Sequence, residues 1–215
     1  MIGGSPCQGF SRIGKQLNFN DDRSKLFFVY VEILHHIKEV NPNIKFLLEN
    51  VCMKPEYIKV INEALGVIPI KLNSGKIAAA NRNRLYWANF RISPLNAKDI
   101  TFDDIYCYSD EWLPPEYITR TSKWKCFKNP VKSAIIYGQN KKVPCLLARG
   151  YNRDSSATVL IRDGDKYRYL TDLEAERCMT LPENYTAGVP SKERSKCIGN
   201  GWTVDVIAHI FKGLK

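Results

Sequence analysis

Four short patterns hold the side chains that could do chemistry. Ser5-Pro6-Cys7-Gln8-Gly9-Phe10-Ser11 places a cysteine directly after a proline, in a run of small and polar residues. A thiol becomes a nucleophile when it ionises, and a nearby cation favours the thiolate. A small cysteine buried in a turn would read the same way, so this pattern alone leaves both open. Leu48-Glu49-Asn50-Val51 puts a carboxylate at the end of the apolar run Ile44–Glu49. A carboxylate there is costly unless it is paired or protonated, which makes Glu49 a candidate general acid. Asn81-Arg82-Asn83-Arg84 opens a strand with two arginines one residue apart. Strand alternation predicts that both face one side, where they could favour a thiolate or hold developing negative charge. Ile198-Gly199-Asn200-Gly201-Trp202-Thr203-Val204 is a glycine-rich turn that feeds a helix.

Positioning these groups needs a particular order of elements. Residues 1–5 read as the end of a strand that runs into a tight loop. The stretch 9–22, with Gly9, Gly14, Asn18, Asn20, Asp21 and Asp22, has loop composition. Ser24 is placed to cap a helix whose apolar stripe is Leu26, Tyr30, Ile33 and Ile37, with Phe27 and Leu34 beside it. Pro42 stops it. Ile44–Glu49 reads as a buried parallel strand. Pro55 and Gly66 bracket a second helix, Val67–Leu72 is a further strand, and Arg84–Phe90 another. This alternation predicts an α/β layer fold with a parallel core, and ligands gather at the carboxyl ends of such strands. Cys7 and Glu49 both sit at such ends.

The later sequence is different in character. Asp99, Asp103, Asp104, Asp110, Glu111 and Glu116 form an acidic block. Arg120, Lys123, Lys125, Lys128, Lys132, Lys141 and Lys142 then form a basic one, interleaved with Trp124, Phe127 and Tyr137. Such asymmetry predicts an insert with its own task. Val159–Arg162 and Lys166–Leu170 read as a hairpin on Asp163-Gly164. Thr171 caps a short helix that ends before Pro182, and Thr203 starts a last helix with Val204, Ile207, Ile210, Phe211 and Leu214 on its apolar face.

Composition narrows the partners. The chain has 215 residues, 44% of them hydrophobic and 25% charged, which excludes disordered, collagenous and fibrous classes. No apolar run approaches the length of a membrane span, so no membrane role is expected. The net charge of +10 favours a polyanionic partner. There are seven cysteines without any CxxC pair and only three histidines, so no metal site is expected. Reduced, mostly buried thiols fit an intracellular protein, cytoplasmic or nuclear.

In order and spacing, these motifs resemble the cytosine-5 DNA methyltransferase family. Pro6-Cys7-Gln8 looks like its nucleophile motif, Asp21–Phe27 like the motif that follows, and Glu49-Asn50-Val51 like its acid motif. Arg82-Asn83-Arg84 looks like the paired-arginine motif, Leu170–Tyr185 like the ninth motif, and Gly199–Val204 like the last one. The short insert and Trp202 look most like the de novo class of animal enzymes. The resemblance implies a Rossmann-like methyltransferase fold that lacks its first strands, because no glycine loop of the cofactor-binding motifs precedes Pro6. It implies S-adenosylmethionine as methyl donor and a flipped-out cytosine in double-stranded DNA as acceptor. Catalysis falls to Cys7, which adds to C6, to Glu49 at N3, to Arg84 at O2, and to Arg82, which orients Glu49 or a phosphate. The cofactor side holds Pro6, Asn200, Gly201 and Trp202. The DNA side holds Gln8, Ser11, Arg12, Arg120, Lys123, Lys125 and Lys128.

Residues 1–92 are then the catalytic core, 93–143 a small target-recognition region, and 144–215 a return to the core. A second polypeptide or an N-terminal segment is expected to supply the cofactor-binding motifs. The biological setting would be restriction–modification or a related role. The sequence departs from the family at Ala80, where a glutamine is usual. Two other readings stay open: a non-catalytic DNA-binding or regulatory subunit, and an RNA cytosine-5 methyltransferase.

Overall fold

The computed structural model describes residues 1–6, 25–107, 134–137, 140–152, 158–163 and 166–214. The chain divides into two compact units. The first comprises Met1–Asn73, Asn83–Pro94 and His209–Lys215, and the second Ser74–Arg82 and Leu95–Ala208.

The first unit is a four-stranded sheet with helices. β1 (Ile2–Gly4) leads to α1 (Leu26–Val40), which leads to β2 (Leu47–Val51). α2 (Pro55–Leu65) follows, then β3 (Ile70–Asn73) and β4 (Asn83–Ala88). The strands lie in the order β1-β2-β4-β3. β1 and β2 are parallel, with Gly3 opposite Leu48 and Gly4 opposite Glu49. β4 is antiparallel to both β2 and β3. The expected all-parallel core is therefore a mixed sheet. A parallel neighbour needs a crossover of roughly a dozen residues, usually helical. The link Ser74–Arg82 offers only a single 3-10 turn at Ser74–Lys76, so β4 returns antiparallel between its predecessors.

Alternation sorts this sheet. Leu48, Leu85 and Trp87 face a core that includes Phe27, Tyr30 and Leu34 of α1 and Ile61 and Leu65 of α2. α1 approaches β1 closely enough that a Cβ on Gly3 would lie 2.8 Å from the Tyr30 ring. The Tyr30 hydroxyl donates to the Leu47 carbonyl at 3.1 Å, and burial pushes its pKa up. The inward stripe of α1 is thus Phe27, Tyr30 and Leu34, while Leu26 and Ile33 of the expected stripe are half-exposed. Ser24, the expected cap, lies outside the described residues. α2 begins at Pro55 and closes on Gly66 at φ 71°, as its bracketing residues predict.

The second unit has its own sheet and core. β5 (Ala134–Tyr137) pairs parallel with β6 (Val159–Asp163), which pairs antiparallel with β7 (Lys166–Tyr169). The two strands of the expected hairpin are present, but Asp163 ends β6 opposite Lys166 rather than standing in the turn, and Gly164 lies outside the described residues. α3 (Asp172–Cys178), α4 (Ser191–Asn200) and most of α5 (Val204–Phe211) complete the unit. Its core gathers Phe102, Val143, Leu146, Tyr151, Val159, Leu170, Met179 and Ile198, among others.

Thr171 caps α3 in a two-way arrangement with Glu174. The Thr171 hydroxyl accepts from the Glu174 amide, and the Glu174 carboxylate accepts from the Thr171 amide. The same carboxylate takes both terminal nitrogens of Arg168 at 2.9 and 2.7 Å. This fully buried pair fixes where α3 starts and leaves the charge compensated.

Candidate active site

Glu49 and Arg84 meet on one face of the first unit's sheet. Glu49 sits within β2, opposite Gly4 of β1 and Tyr86 of β4. Arg84 of β4 lies opposite Val51, two residues further on. The two side chains therefore stand diagonally on the same face, and Arg84 Nε donates to Glu49 Oε1 at 2.8 Å. Both are largely buried, with 13% and 11% of the Arg84 and Glu49 side chains exposed. The carboxylate that looked costly at the sequence level is thus paired. It does not end its strand, because Asn50 and Val51 still pair with Leu85 and Arg84.

Alternation does not relate the two arginines as expected. β4 starts at Asn83, so Arg82 lies before the strand, and Arg84 shares its face with Tyr86. Arg82 belongs to the second unit and is buried. Its Nη1 and Nη2 both donate to the Gly199 carbonyl at 3.3 Å, and Nη1 also donates to the Leu146 carbonyl and to Cys145 Sγ. This cation holds the end of α4 to the 145–146 segment.

The glycine-rich segment also differs from its sequence reading. Gly199 and Asn200 form the last turn of α4, and Gly201 is its extended C-cap. A Cβ on Gly199 would run into the backbone of Leu147 and Ala148. The glycine therefore exists for close packing rather than for a loop. Asn200 is exposed, while Gly201 and Trp202 are half-buried. Beyond them, the Val204 amide donates to the Met179 carbonyl at 3.0 Å, and Thr180 Oγ1 accepts from the Asp205 amide at 2.8 Å. The segment is pinned at both ends, with Asn200 exposed and Trp202 half-buried between them. Gly199→Ala should lower the thermal midpoint by roughly 5–10 °C, the effect of about 2–3 kcal/mol of forced overpacking in a chain of this size. A melting curve unchanged by the substitution would show that this backbone contact yields freely.

Pro6, the remaining cofactor-side candidate, is half-buried at the end of the β1 segment. Cys7, Gln8, Ser11, Arg12, Arg120, Lys123, Lys125 and Lys128 lie outside the described residues, as do Trp124 and Phe127. Tyr137 ends β5. The structure thus assembles two groups: Glu49 and Arg84 beside Gly4 in one unit, and Arg82 with Gly199–Thr203 in the other. Sequence reasoning passed over Asn50. It is 1% exposed, and its amide donates to Ser5 Oγ at 2.9 Å. Its position inside the Glu49-Asn50-Val51 motif was the available signal. No group of three or more potential metal ligands occurs among the described residues.

A family profile described as C-5 cytosine-specific DNA methylase matches residues 1–64 and 96–215. The chain is 29% identical over 237 residues to the Type II methyltransferase M1.ScrFI of Lactococcus lactis subsp. cremoris, which covers 96% of this chain. It spans 59% of that relative's length. In fold it is similar to the Entamoeba histolytica methyltransferase EhMeth, with a TM-score of 0.71 at 18% identity, over 100% of this chain and 77% of that one. The S. pombe Dnmt2 methyltransferase gives a TM-score of 0.69 at 19% identity, with the same two coverages.

Proposed function

Because the chain belongs to the C-5 cytosine-specific DNA methylase family, we propose that it is a DNA (cytosine-5)-methyltransferase, or the catalytic half of one. The observation that carries this reading is the ion pair between Glu49, on the strand directly beside β1, and Arg84 of β4; the residues that follow β1 in the sequence lead to Cys7. Cytosine C5 is a poor nucleophile. Addition of the Cys7 thiolate to C6 makes the ring an enamine and C5 electron-rich. Glu49 hydrogen-bonds or protonates N3 as the thiolate adds, and Arg84 holds O2 and the charge that develops there. S-adenosylmethionine, when bound, supplies the methyl group that C5 takes. A base then removes the C5 proton, the ring regains its double bond, and the Cys7–C6 bond breaks to release the thiolate. The target atom is inaccessible in a duplex, so the cytosine must leave the stack.

The residues of the last motif fit the adenosine part of that donor. An exposed carboxamide at Asn200 stands next to a half-buried aromatic ring at Trp202, on a segment fixed at both ends. Arg82 keeps that segment in place through the Gly199 carbonyl, a positioning role. Pro6 lies on the same side of the reading. Gln8, Ser11 and Arg12, with Arg120, Lys123, Lys125 and Lys128, supply the cationic and polar contacts to DNA. The functional division is 1–92 for catalysis, 93–143 for target recognition and 144–215 for the return to the core. The working site is inside the cell. No helix among the described residues is long and apolar enough to cross a membrane.

The reading includes a partner, either a second polypeptide or a preceding segment, that carries the remaining cofactor-binding motifs. Among the described residues, β1 is an edge strand paired parallel on one side. Parallel strands ordinarily have both neighbours and both faces covered. Ile2 is 56% exposed, and Leu26, Val29 and Ile33 line the outward flank of α1. That surface suits a chain which adds a strand parallel to β1 and an apolar helix beside α1. Labelled methyl transfer to duplex DNA and to RNA, with and without a polypeptide carrying those motifs, tests the whole reading. Transfer to DNA that requires the added polypeptide is the expected result. Transfer to RNA alone would favour RNA methylation, and DNA binding without transfer would favour a regulatory subunit.

A further inference from the structure

We infer that Asn50 is a positioning residue for the nucleophile, acting through a side-chain clamp on Ser5. The inference rests on the reading of Cys7 as nucleophile. The parallel ladder between β1 and β2 ends at Gly4 opposite Glu49. Ser5 is the next residue of the first strand, and Asn50 the next of the second. Where the ladder stops, the Asn50 side chain continues it. Its Nδ2 donates to Ser5 Oγ at 2.9 Å and reaches the Ser5 carbonyl at 3.4 Å. Its Oδ1 accepts from the Val51 amide at 2.8 Å. The carboxamide is therefore used at both ends, as acceptor toward its own strand and as donor toward the other.

Only asparagine supplies a donor and an acceptor at that reach. Aspartate lacks the donor, leucine lacks both, and glutamine sets them a methylene too far. Asn50 is 1% exposed, so the bonds are made where water competes poorly. Glu49 and Asn50 point to opposite faces of β2. One strand thus presents the Glu49 carboxylate on one face while its next residue, Asn50, grips Ser5 from the other. The clamp fixes Ser5 against Asn50, two positions before the thiol in the sequence. Pro6, with its fixed φ, transmits that placement along the chain.

Two measurements on the full chain and its complemented form decide this, using Asn50→Ala and Ser5→Ala. The serine variant removes only a hydroxyl from a half-buried residue, so it keeps the test valid if Asn50→Ala folds poorly. The first measurement is amide hydrogen exchange at Gly4 and Ser5, with the β2–β4 ladder as internal control. The second is the single-turnover rate of covalent trapping on duplex DNA that contains 5-fluorocytosine, alongside the affinity for the same duplex.

Exchange at Gly4 and Ser5 should rise in both variants while the ladder stays protected. The trapping rate should fall about three- to tenfold, the effect of losing one or two hydrogen bonds, with DNA affinity unchanged. The double variant should be no slower than Asn50→Ala, because both substitutions break one clamp. Unchanged exchange would overturn the clamp. Raised exchange with unchanged trapping would overturn its role in positioning the thiol. Wild-type protein that traps nothing would overturn the nucleophile reading and the positioning role with it, while the exchange measurement still reports the clamp separately.

Discussion

In the enzyme complemented with the cofactor-binding polypeptide, Cys7→Ser should abolish covalent trapping on DNA containing 5-fluorocytosine. Fluorine at C5 cannot leave as a proton does, so an enzyme that has added its thiolate to C6 and passed the methyl to C5 stays bound. Serine keeps the size of the side chain and loses the ionisable sulfur. A hydroxyl without an adjacent base is a far weaker nucleophile than a thiolate at neutral pH. Two of the other described thiols are poor substitutes. Cys178 is fully buried, and burial pushes its thiol well above the ordinary range. Burial raises the Cys107 thiol as well. The adduct should therefore vanish from a denaturing gel while the duplex is still bound at wild-type affinity. Undiminished trapping by the serine variant would remove Cys7 from the mechanism.

What the sequence made legible was local chemistry with a strong signature. Pro55 and Gly66 mark α2 because one cannot donate inside a helix and the other adopts the left-handed cap without strain. Thr171 marks α3 because a threonine hydroxyl before the helix can accept from its first-turn amides. Glu49 was legible as a candidate because a lone carboxylate in an apolar strand demands a partner. What stayed hidden depends on contacts distant in sequence. The direction of β4 is set by the length of its link and by its neighbours, neither of which periodicity reports. α4 has the sequence Ser-Lys-Glu-Arg-Ser-Lys-Cys-Ile-Gly-Asn, with almost no apolar stripe, so the two glycines suggested a turn. Gly199 is helical because only a residue without Cβ lets the Leu147–Ala148 backbone approach. β5 is four residues within a basic stretch, and its pairing with β6 gives it its identity. The inward face of α1 is Phe27, Tyr30 and Leu34 because Gly3 admits Tyr30. The equally apolar Leu26 and Ile33 could not be told apart from them by spacing.

Glu49→Gln should cut turnover by roughly 10²–10⁴, the usual size of a general-acid contribution, with little change in binding of duplex DNA. The substitution keeps the shape of the side chain and an oxygen within reach of Arg84 Nε, at 2.8 Å in the wild type. It removes the charge that compensates Arg84 in the free protein, and the acid that Glu49 becomes when it takes up a proton to serve N3. These two losses are separable. Loss of charge compensation in a largely buried pair costs stability, on the order of 3 kcal/mol, and appears in the thermal midpoint. Loss of the proton appears in the rate of thiolate addition.

Arg84→Lys gives the complementary result. It retains a cation near Glu49 but loses the planar fork that holds a carboxylate and a carbonyl oxygen together. Its midpoint should move less than that of Glu49→Gln, and its turnover should still fall, because developing charge at O2 loses an oriented donor. Turnover of both variants, together with duplex affinity and melting curves, separates the roles. A defect confined to DNA binding would mean that the Glu49–Arg84 pair only shapes the sheet beside β1. A rate defect at unchanged affinity places the pair at the base.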